Sequence, residues 1–305
     1  MKIPRRAVDG VLLLDKPEGL SSNSAVGWAK RLFNAEKAGH SGTLDPFATG
    51  LLPICLGEAT KFSRFILDAE KGYRATLRLG EVSSTGDTEG EINQRRPVNV
   101  SIDKIADILK TFQGAQTQVP PMHSALKRDG VPLYKLARQG LTVERDARSI
   151  VVNDIAFISR AGNDLVIDTN VSKGTYIRVL AQDIGEALGC GAHLIGLRRT
   201  STGGFTLANS ITFETLEELV DEQRDAILLP ADTLANVLPE VTLAEPEAIA
   251  LRNGQVPRIA QRLGPDCEYR IYDVARKFIG IAHAQNHVES GSLLTVTRLM
   301  ATGEP

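Results

Sequence analysis

The residues best suited to chemistry in this 305-residue chain are gathered in one stretch, GHSGTLDPFATG, at positions 39–50. Three glycines and a proline in those twelve residues disfavour a helix or a strand, so the stretch is expected to be a loop. Asp45 stands inside it, between Leu44 and Pro46, and the glycines on either side let a ligand approach the backbone closely. A carboxylate in such a place has two readings. It can serve as a reactive base, nucleophile or charge stabiliser, or it can be a turn former that bonds to its own backbone. His40, five residues earlier, is open in the same way, as a site residue or as an ordinary loop or core histidine.

Other chemistries lack their motifs. There is no G-x-x-x-x-G-K-[ST] and no G-x-G-x-x-G after a strand, so no nucleotide cofactor is expected. No G-x-S-x-G elbow is present. The histidines His40, His123, His193, His283 and His287 show no ligand spacing, and no metal is expected. Cys55, Cys190 and Cys267 are odd in number and far apart, which argues against a disulfide framework and for small core hydrophobes.

The elements around the loop follow from periodicity. Val11–Leu14 and Leu51–Leu56 are short apolar runs expected to be buried strands, and Tyr73, Ala75, Leu77 and Leu79 alternate with polar residues as a half-buried strand does. Ser21-Ser22 caps a helix reaching about residue 33, and Glu58–Leu67 reads as a short helix. Ser101 caps another helix over Ile102–Phe112. Ser149–Ser159 and Leu165–Val171 form a hairpin pair around Ala161–Asp164, and a helix carrying Ile177, Leu180 and Ile184 ends at Gly189, before a strand at His193–Arg199. Between the hairpin and the preceding helix, residues 114–149 are expected to protrude as a basic segment with one short helix near 132–138. From 241 onward short alternating runs suggest a small β-rich unit. Strands and helices interleave without a regular βαβ cadence, which points to a mixed α+β fold.

Net charge is −2 but unevenly spread. Residues 1–210 hold 27 Lys+Arg against 22 Asp+Glu, whereas 211–305 hold 8 against 15. A basic front would turn toward an anionic partner. The four consecutive apolar residues after MKIPRRAVDG are too few for a signal peptide or a membrane span, so a cytoplasmic location is the default.

The string GHSGTLDPFATGLLPICLGEATK (39–61) resembles the signature of the bacterial TruB family of pseudouridine synthases. GVLLLDKPEGLSSN (10–23), KGYRATLRLGEVSSTGD (71–87), VPPMHSALK (119–127), LYKLARQG (133–140) and SKGTYIRVLAQDIGEALGCGAHLIGLRRT (172–200) follow in family order. The resemblance covers about residues 8–210. It implies a largely antiparallel synthase sheet in a catalytic domain over 1–240 and a small module similar to a PUA domain over 241–305. The implied reaction converts uridine to pseudouridine at nucleotide 55, in the T-loop of tRNA, without a cofactor. Asp45 matches the family's catalytic aspartate and Arg178 its partner. Tyr73 matches the aromatic stacked on the target base, Tyr176 a second aromatic of the pocket, and Leu197 an apolar wall. His40 matches the residue that fills the gap left by the flipped uridine, and Asp87 an acidic position near the pocket. Lys16, Lys61, Lys127 and Lys173 are plausible phosphate contacts. The implied partner is the tRNA T-arm, with no membrane and no obligate protein partner, and a monomer is expected.

Three other readings remain in view, of which the first keeps the reaction but on a different RNA target, such as another loop uridine with local T-loop shape. A tRNA-folding protein would keep the surface without the chemistry. A two-carboxylate glycoside hydrolase would need a second carboxylate opposite Asp45, and no residue matches that role.

Overall fold

The computed structural model describes residues 4–264, 267–286 and 291–301. A nine-stranded sheet organises the first two-thirds of the chain. Across it run the strands Gly10–Lys16, Thr49–Leu56, Ala192–Thr202, Lys71–Leu79, Asp164–Val171, Arg148–Ala161 and Gly114–Gln118, in that spatial order. Ala38–His40 adds to Thr49–Leu56, and Phe205–Thr206 adds to Ala192–Thr202. Every pairing is antiparallel except that of Ala192–Thr202 with Thr49–Leu56, where Arg198 meets Thr49 and Arg199 meets Gly50. The fold is the mixed α+β class expected from the sequence.

Alternation decides which side of the sheet each residue serves. Tyr73, Ala75, Leu77 and Leu79 fall on one face with Leu165, Ile167 and Leu194. The helix Ile177–Ala187 packs Ile177, Leu180, Ala181 and Ile184 onto that face. The first strand is apolar on both sides: Leu12 and Leu14 join this core, while Val11 and Leu13 join a second core with Leu51, Cys55, Phe62 and Phe205. Burial on both faces explains why these strands read as unbroken apolar runs.

A five-stranded sheet follows, in the order Glu240–Thr242, Cys267–Tyr272, Phe278–Asn286, Ser292–Leu299, Arg258–Ile259. It abuts the second core through Ile281 and through Phe278, whose ring centroid lies 5.2 Å from that of Phe62. Lys61 Nζ donates to Leu299 O at 3.1 Å across the same junction.

Several local expectations change. The segment Glu58–Leu67 is not one helix: a 3₁₀ turn at Gly57–Phe62 is followed by a single α turn at Arg64–Leu67. The C-terminal region also contains an unforeseen helix, Glu245–Arg252, opened by Pro246 and by Glu247 accepting from Ala244 N at 2.9 Å. The basic segment is shorter than expected, because Gly114–Gln118 is the edge strand of the main sheet, paired with the start of Arg148–Ala161. That strand is built of GAQTQ, whose small and polar residues carry no alternating apolar signal. The excursion is therefore 119–147, with its short helix at Leu133–Arg138.

Gly50 marks where the Asp45 loop enters the sheet. Its φ is +97°, and a Cβ there would lie 2.4 Å from Arg199 O and 2.8 Å from Arg199 N. Gly50→Ala is expected to combine backbone strain with overpacking, each of about 1–3 kcal/mol. Urea unfolding measures the sum, and an unchanged midpoint would show that the strands part more freely than this packing implies.

Candidate active site

The loop that carries Asp45 has few regular hydrogen bonds of its own, so side chains from elsewhere must fix it. Ser22, at the start of the helix Ser22–Leu32, accepts from Leu44 N at 2.8 Å and donates to Leu44 O at 2.9 Å. Lys16, fully buried at the end of the first strand, donates to Pro17 O (2.8 Å), Leu20 O (2.7 Å) and Pro46 O (3.3 Å). Arg199, equally buried, donates from Nε to Leu51 O at 2.7 Å and from Nη2 to Gly42 O at 3.2 Å. Three long-range clamps thus seize the loop before, beside and after Asp45. Asp45 O accepts from Ala48 N at 3.1 Å, so the residue does form a turn, but with its backbone. Its carboxylate is left for something else.

That partner is Arg178, in the first turn of the helix Ile177–Ala187. Arg178 Nε lies 3.2 Å from Asp45 Oδ2, and Nη1 lies 3.3 Å from Asp87 Oδ2. Nη1 also donates to Thr85 O at 3.4 Å, and Nη2 donates to His123 O at 2.7 Å. The Arg178 side chain is 6% exposed and that of Asp87 2%, whereas that of Asp45 is 37% exposed. The guanidinium is thus held from behind and presents one edge to a carboxylate that solvent, or a ligand, can reach.

Asp87 belongs to the support rather than to the open side. The Thr85 hydroxyl and Glu89 N (3.0 Å) both donate to its Oδ1. A second carboxylate, Asp87, does stand near Asp45. It lies behind the guanidinium and is closed off, so it is not placed to work as the second acid of a glycoside hydrolase.

Enclosure by the loop pushes the Asp45 carboxyl above the usual carboxylate range. Arg178 pulls it down, Asp87 pushes it up and Lys16 pulls it down, in that order of effect. Burial wins because desolvation penalises the charged form of an acid.

The remaining expected site residues scatter. Tyr73, 8% exposed, lies in the main core on the strand beside Arg199, and Leu197 lies on the same pair of strands, opposite Ala75. Register shifts at Leu194/Gly196 and Arg199/Ser201 bracket Leu197–Arg199 and re-aim those side chains. Tyr176 is half-buried at the N-cap of the Arg178 helix, with the Arg148 guanidinium 5.9 Å from its ring centroid. His40 closes the short strand Ala38–His40; its buried Nδ1 has no protein partner, and burial followed by the Arg199 charge lowers its pKa.

Two of the expected lysines are engaged within the protein. Lys16 is inside the protein as a loop brace, and burial lowers its pKa to about 8. Lys61 is engaged by Glu58 and by Leu299 O. The Lys61 side chain stays 33% exposed, and Lys127 and Lys173 are exposed, Lys173 pairing with Asp68 at 2.9 Å.

Arg199, Ser22 and Gln118 escaped the sequence reading. Gln118, 4% exposed, donates from Nε2 to Tyr176 O at 3.1 Å and accepts from Tyr176 N at 2.8 Å through Oε1. The contacts of all three join segments far apart in the chain, so no local pattern marks them. The signal available was the type of residue, polar within otherwise apolar or loop-bordering stretches.

Among the described residues no group of three or more His, Cys, Asp or Glu side chains converges as metal ligands; His287 lies outside those residues. Nor is any helix among them long and apolar enough to cross a membrane. The site is one approachable carboxylate and a supported guanidinium.

Residues 30–177 match the family model for the N-terminal domain of TruB family pseudouridylate synthases. Residues 178–236 match the tRNA pseudouridylate synthase B C-terminal domain, and 239–298 the C-terminal region of pseudouridine synthase II TruB. Among curated relatives, tRNA pseudouridine synthase B of Neisseria meningitidis serogroup B is 50% identical over 301 residues, covering 99% of this chain and 97% of that one. The protein of the same name from Chromobacterium violaceum is 50% identical over 282 residues, 92% of each chain. Among solved structures, a chain of a Cbf5-Nop10-Gar1 complex superposes with a TM-score of 0.74 at 29% identity, over 95% of this chain and 84% of that one. A chain of an H/ACA RNP bound to a substrate RNA containing 2'-deoxyuridine gives 0.73 at 26% identity, over 96% and 85%.

The raised pKa of Asp45 has a defined sign. The folded state holds the proton more tightly than the unfolded chain, so an ionised Asp45 subtracts stability above its folded pKa, and folding recovers as pH falls toward the ordinary value of 3.8. Asp45→Asn is expected to unfold at neutral pH no earlier than the parent protein, by scanning calorimetry. A clearly lower Tm would mean that the Arg178 contact outweighs burial.

Proposed function

The chain belongs to the TruB family of pseudouridylate synthases, and from that premise we propose that it isomerises uridine 55 in the T-loop of tRNA, with Asp45 as the catalytic carboxylate. The observation that carries the reading is the Asp45–Arg178 contact, in which a buried guanidinium faces the one approachable carboxylate of the loop.

In this reaction the bond between uracil N1 and ribose C1′ breaks, the base turns, and C5 bonds to C1′ while its hydrogen leaves as a proton. N1 takes up a proton in return, so no electrons are exchanged and no group donor is needed. Ionised Asp45 supplies negative charge to the sugar as the glycosidic bond opens. Arg178 favours that ionised form and fixes its direction. The uridine must leave the stack to reach this carboxylate. Tyr73 provides a π-face for it, a contact worth about 1–3 kcal/mol per base. By the family resemblance Tyr176 and Leu197 would border the base, and His40, whose pKa burial lowers, would take the space the base leaves.

The basic excursion 119–147 and the exposed Lys127 and Lys173 would meet the RNA backbone. We take residues 1–240 as the catalytic domain and 241–305 as a PUA-like RNA-binding module. Such phosphate contacts release counterions, so affinity should fall with added salt.

The test is tritium release from tRNA transcript labelled at uridine C5. The parent protein is expected to release label and Asp45→Ala to release none while still binding tRNA. Label freed equally by both would remove Asp45 from the reaction. Binding without release by either would favour a tRNA-folding protein.

A further inference from the structure

The two ends of the basic excursion meet at Gln118 and Arg148, which are register partners across the edge of the main sheet. Both ends grip the same residue. The Gln118 amide makes two hydrogen bonds to the backbone of Tyr176, one as donor and one as acceptor. The Arg148 guanidinium lies over the Tyr176 ring. Tyr176 is the N-cap of the helix whose first turn holds Arg178, and no side chain caps that helix end. Val179 N and Leu180 N both donate to Tyr176 O, the carbonyl that Gln118 Nε2 also reaches. The bearing of the first helical turn is therefore set through the peptide groups of Tyr176.

We propose that Gln118 is a positioning residue for the reaction: its amide fixes Tyr176, and through the first helical turn aims Arg178 at Asp45. This rests on the function proposed above. The chemistry demands an amide of this length. Tyr176 offers one N–H and one C=O, and only a side chain with both an acceptor and a donor can satisfy the two. Gln118 is buried, so water does not replace it freely. A carboxylate in its place keeps the acceptor but loses the donor whenever it is ionised. An apolar residue loses both. The Arg178 guanidinium has a second tie to the excursion, His123 O at 2.7 Å, so displacement of Tyr176 would tilt it rather than free it.

The experiment compares Gln118→Leu and Gln118→Glu with the parent protein, by tritium release from C5-labelled tRNA transcript and by tRNA binding across pH. Gln118→Leu is expected to lower kcat by about 10- to 100-fold, the scale of a misplacement near 1 Å, with KM and tRNA binding within about threefold. Gln118→Glu is expected to approach the parent kcat at low pH, where a neutral carboxyl donates to Tyr176 O. It should fall away as pH rises through the raised pKa of a buried acid. The kcat ratio to the parent thus gains an ionisation that a general loss of stability does not produce at temperatures well below Tm. If Gln118→Leu does not fold, the pH dependence of that ratio decides alone. A flat ratio, a Gln118→Leu kcat within about threefold of the parent, or a loss matched by lost tRNA binding would each overturn the proposal. Absence of release by the parent protein would instead strike the functional reading, and the two failures are told apart by that control.

Discussion

A single buried guanidinium sets the terms for the rest of the site. Arg178 faces Asp45 with Nε and Asp87 with Nη1, and its remaining donors reach the carbonyls of Thr85 and His123. Desolvating such a cation costs several kcal/mol, and the cost is recovered only when its donors are all met by well-placed acceptors. The partners here come from three segments besides the helix of Arg178: the Asp45 loop, the Thr85–Asp87 turn and the basic excursion. Each segment must therefore be placed to within a few tenths of an ångström, and the sheet beneath them does the placing.

The same problem recurs in the Asp45 loop. A loop cannot satisfy its own backbone as a helix or ladder does, and orphaned carbonyls inside a protein are costly. Here the solution is a set of long polar side chains sunk into the interior. Lys16 collects three carbonyls, Arg199 two, and Ser22 holds both polar groups of Leu44. Gln118 does for Tyr176 what Ser22 does for Leu44. The carboxylate and the arginine that meet at the site are thus each held through the backbone of a close neighbour in sequence.

These bonds also mark the limit of what sequence reveals. The loop itself was plain from its glycines and proline, and the strand of Tyr73 and the helices opened by Ser21 and Ser101 were plain from periodicity and caps. These are local signals, read within a dozen residues. The edge strand Gly114–Gln118 was not, because half-exposed polar residues pair through their backbones without leaving a pattern. Glu245–Arg252 is two turns long, too short to leave a clear helical period among the strands around it. Lys16 misled for a different reason. A lysine in a loop-bordering motif reads as surface charge, and only the fold brings Pro17, Leu20 and Pro46 around one ammonium. The Asp45–Arg178 pairing is separated by more than a hundred residues; family resemblance supplied it, whereas composition and spacing left Asp45 balanced between turn former and reactive group. The structure shows why both were reasonable, since its carbonyl makes the turn and its side chain does not.

The distribution of burial explains how the Asp45 carboxylate stays approachable. Were Asp45 as enclosed and as well bonded as Asp87, it would be a structural anion with no room for a substrate. Instead the protein gives Asp87 the hydroxyl and the backbone N–H and leaves Asp45 with one edge of the guanidinium. Burial then raises the Asp45 carboxyl while Arg178 and Lys16 resist. The carboxylate thus stays approachable while the guanidinium beside it stays fixed, and that is the arrangement on which the proposed function draws.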